Sequence, residues 1–315
     1  MPLHPYFDRF FAEVGAKLAQ GMTVPQAFQA IAKDETPYEL PAGVTTQDRT
    51  VSGRHGEIPV RIYRPATQPD NSSALVWFHG GGFVMGSIDQ KEAHVVSAEL
   101  ADMANCLVMS VDYRLVTKER KFPVPLEDGF DATKWLFENA AELGIDASKI
   151  FIGGASAGGS LAATVCLKAA EVGISVRGAV LAYPLSHLEL PEISEELAEK
   201  ITVLPAPLLM GADYVKNRNA FLMPEGELPA KHFGWPAEEV DLSGFPQSLF
   251  VESEYDAIRA SSEEFIRKLR AQGKPAESFL AAGMTHGFLN NTAEEVDVVG
   301  ESHAKMAVFI KALSA

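Results

Sequence analysis

Residues 149–170 read KIFIGGASAGGSLAATVCLKAA. An apolar run enters a succession of small residues, Gly153-Gly154-Ala155-Ser156-Ala157-Gly158-Gly159, and then a helix-forming stretch. A turn needs one glycine, or two. So many imply a backbone that bends very sharply or is approached very closely. Gly154-Ala155-Ser156-Ala157-Gly158 is G-x-S-x-G between a buried strand and a helix. In that arrangement the serine occupies a strained turn, and the residues two before and two after it must be tiny. The strain lifts the hydroxyl clear of the sheet, and the helix start offers free N–H groups to developing negative charge. Ser156 is therefore a candidate nucleophile, against a glycine-rich anion-binding turn as the simpler reading.

The flanking sequence supplies the strand and the helix. ALVWFHGGG, CLVMSVDYRL, KIFIGGAS, RGAVLAYPL, PQSLFVES and PAESFLAAG read as strands. Helical patterns fall between them, including 89–105, 126–143 and SSEEFIRKLRAQG, and a last helix ends in AKMAVFIKAL. Such alternation calls for a mostly parallel sheet covered by helices on both faces. VTTQDRTV and GEIPVRIYRP precede it as an antiparallel pair. Two stretches stand outside the pattern. Residues 1–45 read as helical, with Phe7, Phe10, Phe11, Val14 and Leu18 at helical spacing and a second short helix from Thr23. Residues 186–243 are rich in Glu, Pro and Met and interrupt the alternation.

A serine nucleophile needs a base, and the base an orienting acid. For this topology the chain order is Ser, then Asp or Glu, then His. Of eight histidines, His286 in AGMTHGFLN lies in the loop after the final strand. His4, His55, His79, His94 and His187 come too early, His232 falls in the interruption, and His303 lies inside the last helix. LFVESEYDAIR offers Asp256 beyond a strand end, with Glu252 and Glu254 as alternatives. The glycine triplet of WFHGGGFVMGS would turn backbone N–H groups toward one spot, as an oxyanion hole requires. Gly80, Gly82 and Gly86, with Asp112 at the next strand end, also fit a loose dinucleotide fingerprint. That reading leaves the serine turn and everything after residue 250 unexplained.

Composition narrows the partners. The formal charge of −15 disfavours nucleic acid and anionic membranes, and mildly disfavours anionic substrates. Two cysteines, Cys106 and Cys166, make no disulfide framework and read as buried hydrophobes in a reducing compartment. No Cys/His grouping suggests zinc, and no cofactor is called for. The start, MPLHPYFDRFFAEVG, lacks the features of a signal peptide, and no apolar run is long enough to span a bilayer. The expectation is a cytoplasmic protein.

HGGGF, DYRL, GASAGG, EYDAIR and THGF, in this order, resemble the hormone-sensitive-lipase-like family of α/β-hydrolases, whose bacterial members are carboxylesterases. The resemblance covers nearly the whole chain. It implies an α/β-hydrolase fold and a helical cap built from about 1–45 and about 186–243. It implies Ser156 as nucleophile, His286 as base and Asp256 as its partner. The oxyanion hole would be formed by the N–H groups of Gly81, Gly82 and Ala157, with His79 structural. The implied activity is hydrolysis of small uncharged esters with short acyl chains, by an enzyme with a family habit of dimerising. An amidase or lactonase would use the same triad, and a non-catalytic small-molecule receptor has been built on the fold by loss of the histidine. Apolar residues Tyr6, Phe7, Phe10, Phe11, Phe28, Leu204, Leu208, Leu209 and Met210 either line a pocket or join the cap to the body. Three positions depart from the family pattern. Ala155 precedes the serine, Val116-Thr117-Lys118 stands where Ala-Pro-Glu is usual, and Ala257 follows the acid.

Overall fold

The computed structural model describes residues 2–23, 26–27, 30–31, 38–205, 208–224 and 234–315. The expected helix from Thr23 lies partly outside them, as do Phe28 and His232. Helix α1 (Pro5–Ala19) is followed by the hairpin β1 (Thr45–Gly53) and β2 (Gly56–Arg64). The alternating part runs β3 (Ser72–Phe78), α2 (Lys91–Ala104), β4 (Leu107–Val111), α3 (Val124–Glu138), β5 (Ile145–Ala155), α4 (Ala157–Glu171) and β6 (Gly178–Ala182). After the interruption, which holds α5 (Glu195–Ile201) and α6 (Ala212–Leu222), come β7 (Ser248–Tyr255), α7 (Arg259–Ala271), β8 (Ala276–Thr285) and α8 (Asp297–Ser314).

The eight strands form one sheet in the order β1-β2-β4-β3-β5-β6-β7-β8. The hairpin and the β2–β4 pair are antiparallel, and the pairs from β4 through β3 to β8 are parallel. Strands buried on both faces read as continuous apolar runs, and β3, β4 and β6 are buried throughout. Leu126, Phe130, Leu161, Val165 and Phe265, from α3, α4 and α7, pack on one face with Val76, Phe78, Met109 and Ile152. Val96, Leu100, Met306 and Ile310, from α2 and α8, pack on the other with Trp77, Phe151 and Val180.

This topology fixes where a site can form. β4 lies on one side of β3 and β5 on the other, so the connections leaving the carboxyl ends of β3 and β5 diverge and open a crevice. The serine turn and the glycine triplet sit at those two ends.

The two stretches outside the alternation meet one another. Leu197, Ile201 and Leu204 pack with Leu3, Phe11 and Leu209 over Tyr255 and Ala257, which flank Asp256. Met210 packs beside Val215, Leu185 and Ile258. Phe7, Tyr6 and Phe10 face the sheet's own core. Tyr6, Phe7, Phe10, Phe11, Leu204, Leu209 and Met210 thus pack the helical segments against the body.

Candidate active site

The serine turn owes its composition to lack of space. A side-chain carbon added at Gly158 would lie 2.0 Å from the Phe78 carbonyl oxygen, and one at Gly154 2.6 Å from the same atom and 2.4 Å from that of Gly158. Both neighbours are backbone and cannot swing aside. Between the two glycines Ser156 adopts φ +53° and ψ −117°, a conformation L-residues rarely hold. Its N–H donates to the Ala182 carbonyl at 2.8 Å, and Ser160 N–H to the Ser156 carbonyl at 3.0 Å, so β6 and α4 clamp the turn from both sides.

His286 follows β8 directly, as expected. Its Nε2 stands 2.8 Å from Ser156 Oγ and its Nδ1 2.6 Å from Asp256 Oδ2. Asp256 is buried, and its other oxygen accepts the Ile258 N–H at 3.0 Å. A hydrogen bond from Nδ1 to a fixed carboxylate leaves the Nε2 lone pair directed at the serine hydroxyl. The structure thus brings Ser156, His286 and Asp256 into one line.

The alternative acids point elsewhere. Glu252 lies within β7, hydrogen-bonded to the Ser278 hydroxyl, and burial pushes its carboxyl up to about 7. Burial acts on Glu254 in the same direction, but the Lys200 ammonium and the Gly283 N–H outweigh it and hold the carboxyl at about 2.

The glycine triplet lies against the serine. A carbon added at Gly80 would be 3.6 Å from Ser156 Cβ. Gly81 (φ +113°) and Gly82 (φ +63°) both require positive φ, and Val84 and Met85 N–H close a turn on the Gly81 carbonyl. Among the described residues, neither Gly81 nor Gly82 donates its N–H to a protein acceptor. Ala157, first in α4, precedes the first intrahelical bond and has no partner there. These three N–H groups are the ones expected of an oxyanion hole. His79 is buried, with Nδ1 on the Gly80 carbonyl at 2.7 Å and its ring stacked on Tyr113. Burial lowers it to about 4, so it is a neutral packing residue.

The dinucleotide fingerprint does not match this geometry. That motif needs a helix opening at its last glycine, and α2 begins only at Lys91, after Gly86. Among the described residues no cluster of three His, Cys, Asp or Glu is arranged for a metal ion. No helix among them is long and apolar enough to cross a membrane. Cys106 and Cys166 are both buried and unpaired.

The departures from the family pattern are absorbed locally. Val116 is buried, and its N–H donates to the Phe83 carbonyl at 2.8 Å, bracing the chain just after the glycine triplet. Thr117 Oγ1 accepts the N–H groups of Glu119 and Arg120, closing the turn where proline is usual. Ala155 and Ala257 are buried in apolar clusters.

Two further residues of the site were not foreseen from sequence. Glu92, fully buried beneath the triplet, accepts from Gly80 N–H at 2.9 Å and from the Trp77 indole N–H at 2.8 Å. Burial pushes its carboxyl up to about 7 against those two bonds. Tyr183, at φ +36° just after β6, sets its ring edge-on to His286 with centroids 4.8 Å apart. A glutamate in a polar helix start and a tyrosine ending a strand carry no signal of either contact.

Comparison with known proteins agrees with this geometry. Residues 75–290 match a family described as having the alpha/beta hydrolase fold. An arylesterase of Saccharolobus solfataricus is 35% identical over 256 residues, covering 81% of each chain. A carboxylesterase of Mycobacterium tuberculosis is 33% identical over 285 residues, covering 86% of this chain and 83% of its own. The esterase structure from Pyrobaculum calidifontis superposes with a TM-score of 0.80 at 31% identity, over 100% of both chains. With the hydrolase sheet and the serine turn both in place, the chain belongs to the hormone-sensitive-lipase-like family of α/β-hydrolases.

Proposed function

We propose that the protein is a carboxylesterase that hydrolyses small, uncharged esters with short acyl chains through an acyl-enzyme on Ser156. The observation that carries the reading is the unbroken line from Ser156 Oγ through His286 to buried Asp256, at 2.8 and 2.6 Å. The esterase names of the relatives support the bond type.

In the first half-reaction His286 Nε2 takes the hydroxyl proton as Ser156 Oγ attacks the ester carbonyl carbon. Asp256 holds the Nδ1–H and offsets the imidazolium charge. The carbonyl oxygen gains charge, which the N–H groups of Gly81, Gly82 and Ala157 meet; one such donor is worth roughly 3–4 kcal/mol. The tetrahedral intermediate collapses, and the alcohol leaves with the proton from His286. Water then loses a proton to His286 and attacks the acyl-enzyme, and the acid departs as Ser156 recovers its proton.

The cap is assigned to about 1–45 and about 186–243. The support is the cluster in which Leu3 and Phe11 from one stretch meet Leu197, Ile201 and Leu204 from the other beside Asp256. A helical cover there limits the room above the serine, which favours short acyl chains. The setting is taken as cytoplasmic and the assembly as a homodimer, which sedimentation of the purified protein tests.

The deciding experiment is hydrolysis of 4-nitrophenyl esters from acetyl to dodecanoyl. Activity is expected on the short members and lost by about 10⁴-fold or more in Ser156→Ala, with the melting temperature preserved. Asp256→Asn is expected to lose about 10⁴ in kcat, because an amide no longer fixes the imidazole tautomer. A folded wild type that spares these esters but cleaves 4-nitroanilides would make it an amidase.

A further inference from the structure

Helix α6 passes over the oxyanion loop. The Tyr214 hydroxyl lies 3.8 Å from where a side-chain carbon would stand on Gly82. One turn on, the Arg218 guanidinium lies over the Phe83 ring, 5.2 Å from its centroid. Phe83 is itself buried against Tyr113 and Phe122. The face of α6 that carries residues 214 and 218 is therefore turned toward the loop whose N–H groups meet the substrate carbonyl.

The guanidinium is held but not neutralised. Arg218 Nη1 donates to Asn219 Oδ1 at 2.7 Å. Asn219 is buried and anchored through Nδ2 to the Leu188 carbonyl at 2.6 Å, so the acceptor is fixed. Among the described residues no carboxylate reaches Arg218, in a chain where acids outnumber bases 42 to 27. Some arginines elsewhere are met by acids, Arg54 by Asp131, Arg61 by Asp48 and Asp89, Arg114 by Asp128 and Arg259 by Glu263, while others, such as Arg120 and Arg177, end on backbone carbonyls. Burial lowers Arg218 to about 10, which still leaves it charged at neutral pH. Arg218 is only part-buried, so the donors that Asn219 leaves free remain open to an incoming anion.

We infer that Arg218, with the Tyr214 hydroxyl, forms a subsite for a carboxylate carried by the substrate a few bonds from the scissile carbonyl. The protein then also takes hemiesters of short dicarboxylic acids, or acyl esters of short hydroxy acids. This rests on the hydrolase reading of Ser156 and adds a charged class to the uncharged esters. The net negative charge does not forbid it. Surface charges are screened over about 8–10 Å at moderate salt, whereas a bidentate contact with a guanidinium acts at hydrogen-bond range.

The test compares monoethyl succinate and monoethyl glutarate, and O-acetylglycolate, with ethyl butanoate and ethyl acetate as neutral counterparts. These are assayed in wild type, Arg218→Met and Arg218→Lys. Methionine keeps the packing on Phe83 and removes the charge, and lysine keeps the charge without the fork. For Arg218→Met the ratio of kcat/KM, anionic over neutral, is expected to fall about tenfold to a hundredfold, mainly through KM. Arg218→Lys should fall in between, and neutral esters should be turned over nearly as before. The acid whose ratio falls identifies which half of the substrate runs under α6. A ratio unmoved in both variants overturns the subsite and leaves the esterase intact. Should wild type cleave no ester at all, calorimetric binding of monoethyl glutarate to Ser156→Ala, with and without Arg218→Met, still decides. Binding that depends on Arg218 supports the subsite, and equal or absent binding rejects it.

Discussion

Two glycine-rich turns lie side by side at the carboxyl ends of β3 and β5, and the glycines flanking Ser156 and Gly82 within them are there on different physical grounds. Around Ser156 the glycines answer to space, since carbonyls of the neighbouring turn and strand occupy the volume any side chain would need. Gly81 in the triplet is walled in as well, by the Met85 carbonyl oxygen at 2.0 Å, but around Gly82 there is room, with nothing nearer than 3.8 Å to an added carbon, and the demand there is for backbone conformation instead, at φ +63°. The serine turn is rigid because it is walled in. The triplet is aimed because it is tethered, by Glu92 at Gly80 and by Val116 at Phe83. A nucleophile needs one fixed position, and the first solution suits it. Donors that meet a developing charge need direction, and the second provides it.

The largest effect should come from filling the walled turn. In Gly158→Ala the new carbon meets Phe78 and His79 carbonyl oxygens at 2.0 and 2.5 Å, and both belong to the strand end that carries the triplet. Overpacking against side chains costs about 1–3 kcal/mol, and backbone neighbours yield less easily, so a loss at or above about 3 kcal/mol is expected in urea titration. Activity should disappear with it. A variant with native melting and native turnover would show that the wall moves.

Gly82→Ala should separate the two turns. The added carbon fits, and the left-handed conformation costs an L-residue about 1–2 kcal/mol, so the protein should stay folded with a modestly lowered melting temperature. Any rotation of that peptide swings a proposed oxyanion donor away, and kcat is expected to drop by about 10²–10³ with KM little changed. Wild-type kcat in a folded Gly82→Ala would remove that N–H from the mechanism.

The same contrast explains what was legible in the sequence. Space leaves a local record. Only glycine fits at 154 and 158 on either side of Ser156, so GASAGG announces the turn, and the alternation of apolar runs with helical patterns places it between a strand and a helix. Asp256 and His286 were readable because each follows a strand end in the order the topology demands. Helix ends were less so: the pattern read as 126–143 is the helix Val124–Glu138, and β8 runs on past the expected PAESFLAAG to Thr285. Tethers leave no such record. Glu92 looks like a solvated helix start, and only the fold sets it under Trp77 and Gly80. The aromatic residues of α1 were equally consistent with a pocket wall and with packing, because an amphipathic helix does not state what covers its apolar face.

Glu92→Gln gives the smallest effect and tests the tether itself. The carboxyl is raised to about 7, above its ordinary 4.5, so the folded state holds the proton more tightly than the unfolded chain does. The stability this group contributes is therefore fully present below about 4.5 and lost as pH rises through about 7. Glutamine does not titrate there. Wild type should lose stability relative to Glu92→Gln across that window and run parallel to it above, in denaturant midpoints measured from pH 4 to 8. The amide oxygen satisfies one of the two N–H groups, Trp77 or Gly80, and its own NH₂ faces the other. One lost hydrogen bond of about 1 kcal/mol behind the triplet corresponds to about a fivefold fall in kcat, with KM unchanged. Glu92→Ala would confuse this by opening a cavity, so the isosteric change is the informative one. If kcat holds and only the pH slope disappears, Glu92 supports the fold at that point, and the aim of Gly81 and Gly82 is set by the Val116 bond and the turn closed on the Gly81 carbonyl.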